Sequence, residues 1–417
     1  GTELPDQMAA GQAAPTPTVN MLQPWSKAGL IIKANTSQGS AYAAIMVTGG
    51  HGVRMQYDFT GDIAGPALSA GSPEWLRLSR SGDTVTGYAS ADDSSWTTVG
   101  SVQLAGLPSG APAGMFVTSP AANRFAAHFG GGTGSGASTL ASAKFDSVAL
   151  TGQWPAGTWT ATGIGGDPNA PLMNGASGLT EASGVYTVTG NGDVAPDPGQ
   201  GGTSIESTLV GAFAALLVLA VLGVLFISTE YRRGLIRTSL TASPRRGRVL
   251  AAKAVVLGAI AFVTGLVGTA ITLPISGHLL RVNGNLINPI TALTETRIIV
   301  GTAALLAVAA VLALAIGTIM RRSAAAVATA IVVVVLPYIL GTAGVLGTAP
   351  AQWLLRVTPA AAFAIQQSIP AYHQVDQAYT PVTGFYPLTP WAGFAVLCLW
   401  AAVALGLAGY LLRRRDA

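Results

Sequence analysis

Charge is scarce in this chain. Only 10% of its 417 residues are Asp, Glu, Lys or Arg, while half are apolar. A soluble domain carries about 25% charged residues, so the composition excludes an ordinary soluble enzyme and indicates a membrane protein. There is one cysteine, Cys398, which excludes a disulfide framework or a cysteine metal site within one chain. There are four histidines, and His51 and His128 have no second His or Cys at ligand spacing, so no metal site is read. Lysine stands only at positions 27, 33, 144 and 253, none of them in G-x-x-x-x-G-K-[ST], so the chain carries no P-loop for a nucleotide. Glu74 is the only glutamate between residues 24 and 150. That removes the carboxylate pair, about 5–10 Å apart, on which a glycosidase depends.

The few charges are distributed unevenly. Residues 1–206 hold 7 basic and 14 acidic side chains, a net −7; residues 207–417 hold 15 basic and 4 acidic, a net +11. The two parts occupy different surroundings. The first reads as linker over 1–20, then as an all-β antiparallel sandwich over 21–196. Short alternating runs such as AGLIIKA, YAAIMVT and GVRMQYDF are separated by Gly, Ser and Asp turns. The Ser81–Gly82–Asp83 corner is a hairpin signal. Residues 153–196 add further strand signals, either permuted strands of the same sandwich or the start of a second copy. Residues 197–206, rich in Pro and Gly, form a second linker.

The second part, 207–417, reads as an all-α polytopic membrane domain. Five apolar runs, near 207–228, 254–276, 298–320, 324–346 and 391–412, each suffice for a hydrocarbon core of about 30 Å. Three basic clusters, at 229–253, at Arg321–Arg322 and at Arg413–Arg415, fall at alternate ends of these runs. By the positive-inside rule those ends face the cytoplasm, and residues 1–206 lie outside a bacterial cell membrane. An exported β domain with nothing ahead of it implies a missing leading span, six in the full protein, and an N-terminally truncated piece. The apolar runs contain no acid or base in mid-span, which fits a hydrophobic or amphipathic cargo better than an ion. Pro274 and Pro337 are expected to kink their helices. Gly258, Gly265, Gly268, Gly301 and Gly317 permit close helix packing.

The run TEYRRGLIRTSLTASPRRGRVLAAKAVV, Thr229–Val256, resembles the first cytoplasmic loop of type-2 ATP-binding-cassette (ABC) exporter permeases of actinobacterial type. WLLRVTPAAAFAIQQSIP and the terminal RRRDA support the likeness, which covers about half the chain. In that family the segment is a coupling helix that receives the motion of a separate ATPase subunit. The resemblance therefore implies coupling roles for Glu230, Tyr231, Arg232, Arg233, Gly234, Arg237, Pro244, Arg245 and Arg246. It also implies ATP and magnesium on the partner, a second permease copy, no catalytic residue, no cofactor and no nucleic acid on this chain. The β region resembles a concanavalin-like jelly roll of secreted, carbohydrate-associated proteins, on WSKAGLIIKA, AAIMVTGGHGVRMQYD and EWLRLSRSGDTVTGYASADDSSWTTVG. That likeness offers Trp25, Trp75 and Trp96 as glycan contacts, and a membrane-anchored glycan-binding protein as the alternative function.

Overall fold

The computed structural model describes residues 22–67, 74–128, 131–137, 139–152, 154, 157–164, 178–194, 202–232, 246–283, 286–288, 290–375 and 379–415. For 123–128, 131–137, 202, 230–232, 246, 286, 382 and 415 it describes the backbone alone. The chain divides into two compact units, residues 1–124 with 135–195 and residues 125–134 with 196–417. An antiparallel β-sheet region precedes a helical part, as the sequence implies.

In the β region, strands β1 (Lys27–Lys33), β2 (Tyr42–Thr48), β3 (Val53–Tyr57), β4 (Gly61–Ala64) and β8 (Ala113–Thr118) form one antiparallel sheet of order β4-β3-β2-β1-β8. Strands β5 (Trp75–Ser81), β6 (Thr84–Ser90) and β7 (Thr97–Gln103) form a second sheet. The β5–β6 turn is the two-residue Gly82–Asp83, with Gly82 at φ +60, a left-handed conformation that glycine adopts without a Cβ clash. Ile45, Met55 and Ile32 of the first sheet pack on Val85, Ala89 and Val102 of the second. The opposite face of the first sheet is also covered, because Tyr42, Ala44 and Met46 meet Phe59, Phe116 and Val194. Burial on both faces accounts for the unbroken apolar run in YAAIMVT.

Strand β9 (Ala122–His128) pairs with β10 (Gly131–Ala137). Strand β11 (Ala141–Phe145) pairs with β13 (Val185–Gly190), which pairs with β12 (Gly178–Ala182). The chain beyond β13 is tied back to the first sheet. Lys27 of β1 forms an ion pair with Asp193, both side chains sealed from solvent at 0% and 2% exposure. The Tyr42 hydroxyl donates to the Val194 carbonyl at 2.8 Å. Residues 178–194 thus complete the unit that β1 begins.

The helical part comprises α1 (Val210–Arg232), α2 (Arg246–Val282), α3 (Ala292–Met320), α4 (Ser323–Val334), α5 (Leu336–Thr342), α6 (Thr348–Val357) and α7 (Pro390–Arg415). Five helical segments are long and apolar enough to cross a membrane: 205–229, 247–282, 292–320, 323–342 and 390–414. Helix α3 is the axis. Of its most apolar stretch 72% is buried, against 22–28% for the other four. The outward faces of α2 (Val255, Ile260, Val263, Val267) and α7 (Leu399, Val403, Leu407) are apolar and exposed, as lipid-facing surfaces are. With 37 residues, α2 is about 55 Å long at 1.5 Å per residue, well beyond the hydrocarbon thickness. Its first turns, with Arg248 and Lys253, are the segment that the charge pattern places outside the core.

The fourth span breaks at Val335, two residues before Pro337, since proline has no N–H to bond one turn back. Pro274, in contrast, lies inside a helix that continues through it. Hydroxyls within the spans bond their own helices: Thr264, Thr269, Thr318 and Thr329 donate to the carbonyls four residues earlier at 2.8–2.9 Å. Glycines set the closest approaches. A Cβ at Gly393 of α7 would stand 2.2 Å from the Ala361 carbonyl oxygen, and one at Gly223 of α1 would stand 2.7 Å from that of Ala310. Gly265, Gly301 and Gly317 are similarly tight, whereas Gly268 meets nothing within 4 Å.

This packing sets the expected cost of small changes. Gly393→Ala and Gly223→Ala should each lower stability in detergent by about 1–3 kcal/mol, while Gly268→Ala should be neutral or slightly stabilising; denaturation of the three variants checks this. In the β region Asp193→Ala should cost about 3–5 kcal/mol by leaving the Lys27 ammonium buried and unpaired. The double variant Lys27→Met, Asp193→Ala should recover part of that loss in thermal melting.

Candidate functional site

Two regions of the helical part carry candidate functional groups, one at each end of the spans. At the basic end, α1 runs on through Glu230, Tyr231 and Arg232, and α2 begins at Arg246. Arg233, Gly234, Arg237, Pro244 and Arg245 lie outside the described residues, as do the side chains of Glu230, Tyr231, Arg232 and Arg246. The flanking elements show what the connection joins. Ile227 of α1, Leu250 and Ala254 of α2, Leu314 of α3, and Ala408 and Leu412 of α7 form one apolar cluster. The Arg413 guanidinium lies where a Cβ on Gly247 would meet it at 3.5 Å. The basic start of α2 and the basic end of α7 therefore stand side by side. Arg321 and Arg322 form the two-residue link from α3 to α4, Arg321 closing α3 in the left-handed conformation at φ +59.

At the opposite end, a short amphipathic helix and a tight turn replace regular helix. Helix α6 buries Ala351 and Leu355 and leaves Trp353 62% exposed, with the Arg356 guanidinium 5.5 Å from its ring. The 3-10 turn Pro359–Gln366 follows, and all eight of its residues are buried. Gly301 of α3 and Gly393 of α7 are the sites that admit it, facing Ile365 and Ala361. Phe363 of this turn stacks with Tyr338 of α5 at 4.0 Å between ring centroids, and Tyr338 with Phe213 of α1 at 5.1 Å.

A polar cluster lies just beyond. Gln366 Nε2 donates to Thr302 Oγ1 at 3.2 Å, reaching into the middle of α3. Arg297 Nη2 donates to the Gln367 carbonyl, and Glu206 Oε1 accepts from the Ser368 amide at 3.0 Å. The Gln367 side chain donates to the Ile369 carbonyl at 2.8 Å and accepts from the Tyr386 amide at 3.2 Å. Burial, reinforced by the neighbouring Tyr338, pushes the Tyr386 phenol well above its ordinary pKa, so it stays protonated. Sequence reading missed Glu206 and Arg297. Each falls one residue outside the apolar run it precedes, at 207 and at 298, and so counts as loop. In the structure each is part of the helical segment that follows. The signal is present in TSIES and TETRII, where a charge directly abuts a span.

In the β region, Trp25 is 4% exposed and stacked on His51 at 3.9 Å, with no face open to a ligand. Trp75 and Trp96 keep some exposed surface, and the Arg77 guanidinium lies 3.8 Å from the Trp96 ring centroid. Asp92 is used by its own turn. It accepts from the Ser94 and Ser95 amides at 2.9 and 2.8 Å, which hold its carboxyl well below the usual range.

Comparison with protein families matches residues 32–417 to the ABC-2 family transporter proteins. Comparison with curated proteins gives no match. The matched stretch includes most of the β region together with all five spans. The chain belongs to the ABC-2 transporter family and is a multi-pass membrane subunit of a transporter. The Gln366–Thr302 contact gives a direct test of how firmly the turn is seated. Thr302→Val should cost about 1–3 kcal/mol by stranding the buried amide, and Gln366→Leu with Thr302→Val should cost less, as a double-mutant cycle reads out.

Proposed function

We propose that this ABC-2 subunit is the membrane path of an exporter driven by ATP hydrolysed on a separate subunit. The observation that carries the reading is that the end of α1, the start of α2, the end of α3 before Arg321–Arg322 and the end of α7 pack in one cluster, so the three basic stretches of the sequence belong to one end. Positive charge in short connections marks the cytoplasmic side, where an ATPase is found. Residues 229–253 are the only long connection among the three, and they carry six Arg and one Lys beside a single acid, Glu230. A basic segment with Leu235, Ile236 and Leu240 at helical spacing suits a groove on a protein partner. It is the docking element of this proposal, with Glu230, Arg232, Arg233 and Arg237 at its centre.

The β region then lies outside the cell, and the likeness to a concanavalin-like sandwich is supported by its two facing antiparallel sheets. The cargo class is hydrophobic or amphipathic. The mid-span regions of the five helices hold hydroxyls bonded to their own backbones and no ionised group. Two copies assemble the path, as the family likeness implies; within one subunit 72% of the most apolar stretch of α3 is already buried.

The test is co-purification with nucleotide hydrolysis as readout. Protein extracted with its native partners should bring down a P-loop ATPase. Glu230→Ala with Arg232→Ala and Arg233→Ala should reduce that capture and the associated hydrolysis at least tenfold without lowering membrane insertion. Capture that is indifferent to these changes contradicts the docking assignment.

A further inference from the structure

The polar cluster beyond the buried turn has an unusual wiring. The Gln367 carbonyl, which accepts from Arg297, and the Ser368 amide, which donates to Glu206, belong to one peptide group. A cation therefore holds the negative end of that peptide dipole and an anion holds the positive end. The two charges are not in direct contact; among the described residues the ion pairs are Lys27–Asp193 and Arg54–Asp62. Arg297 stands at the start of α3, and Glu206 in the 3-10 turn Ile205–Leu209 that leads into α1. The peptide between them is the first beyond the buried turn, so three separate parts of the chain meet in this one group. Hydrogen bonds to charged partners are about twice as strong as neutral ones, and here both ends of one peptide have one.

The arrangement also leaves capacity unused. Glu206 Oε2 and Arg297 Nε are buried and find no hydrogen-bond partner. A fully satisfied buried network rigidifies its surroundings, whereas a half-satisfied one gives up less when it opens. We propose that the Arg297–peptide–Glu206 bridge is a latch, holding residues 359–375 and 379–386 as a closed cover on the end of the bundle opposite the basic clusters. The Gln367 side chain extends its hold, since its bonds to Ile369 and Tyr386 fasten both arms of the cover to the latched residue. The proposal rests on the orientation given above only for which side of the membrane the cover faces.

The test uses the full chain in its native membrane, with native Cys398 retained and Ile369→Cys added as reporter. Ile369 is 4% exposed, directly after the latched peptide. A membrane-impermeant maleimide is applied to intact cells and, separately, to inside-out vesicles, and labelling of both thiols is counted by peptide mass spectrometry. With the latch intact the reporter thiol should label slowly. Glu206→Ala or Arg297→Ala should accelerate it at least tenfold while Cys398 is unchanged, and combining them should add little, because both act on one peptide. Glu206→Gln, which keeps an acceptor oxygen, should be intermediate. The exchange Glu206→Arg with Arg297→Glu should fail to restore slow labelling, since it opposes the peptide dipole at both ends. Rates within twofold of the parent overturn the latch, as does an equal rise at Cys398 or full rescue by the exchange. Acceleration seen only from the vesicle side supports the latch and overturns the proposed orientation instead.

Discussion

Hydrocarbon removes the usual reason for apolar side chains to leave the solvent, so helices in a bilayer associate through close backbone approach and polar contacts. Everything in the helical part depends on how that constraint is met around α3. Its small residues let α1, α2 and the buried 3-10 turn approach it closely, at Ala310, Ala303 and Gly301 respectively. Once the axis is surrounded, the remaining helices present apolar faces outward and require no further partner within the chain. Several threonine hydroxyls of the spans bond their own helices, and a cluster of polar side chains that bridges separate elements is concentrated at one end.

That concentration gives the two ends different characters. At the basic end the described residues are the ends of long helices α1, α2, α3 and α7, with Arg248, Arg321, Arg322 and Arg413 among them. The other end is irregular, with a broken span at Val335, a short amphipathic helix, and a turn whose backbone is buried in protein. Irregular backbone at membrane depth is tolerated only where protein or a water-filled cavity surrounds it. Here Gly301 and Gly393 provide the room and Gln366, Arg297 and Glu206 provide the hydrogen bonds. The β region meets the opposite solvent problem by burying both faces of its main sheet and closing on the Lys27–Asp193 pair.

Much of this is legible in the sequence. Hydropathy gives the five spans because composition alone decides partition into a bilayer, and alternation gives the strands because one face of each must be buried. The break at Pro337 follows from a missing N–H; Pro274, with the same chemistry, leaves its helix unbroken, and only tertiary packing distinguishes them. What escapes is whatever depends on residues far apart in the chain. Asp193 looks like a turn residue until β1 places Lys27 against it. Glu206 and Arg297 look like loop charges, because a hydropathy window stops at the last apolar residue and the helix does not. The stretch 350–370, with Trp353 and Phe363, reads as a re-entrant or interfacial helix at the outer end; its division into a short helix and a buried 3-10 turn over 359–366 is not legible, since nothing local shows that Gly301 and Gly393 wait for it. In the sequence the family likeness is clearest in the basic connection between the first two spans, most of which lies outside the described residues.

That connection is therefore the place to look for the partner directly. A photoreactive amino acid at position 236, irradiated in living cells, reports which molecule lies against the apolar side of the segment. The expected product is a protein adduct that mass spectrometry identifies by a G-x-x-x-x-G-K-[ST] nucleotide motif. Adducts to lipid alone, or to the β region, would contradict a docking role for this segment.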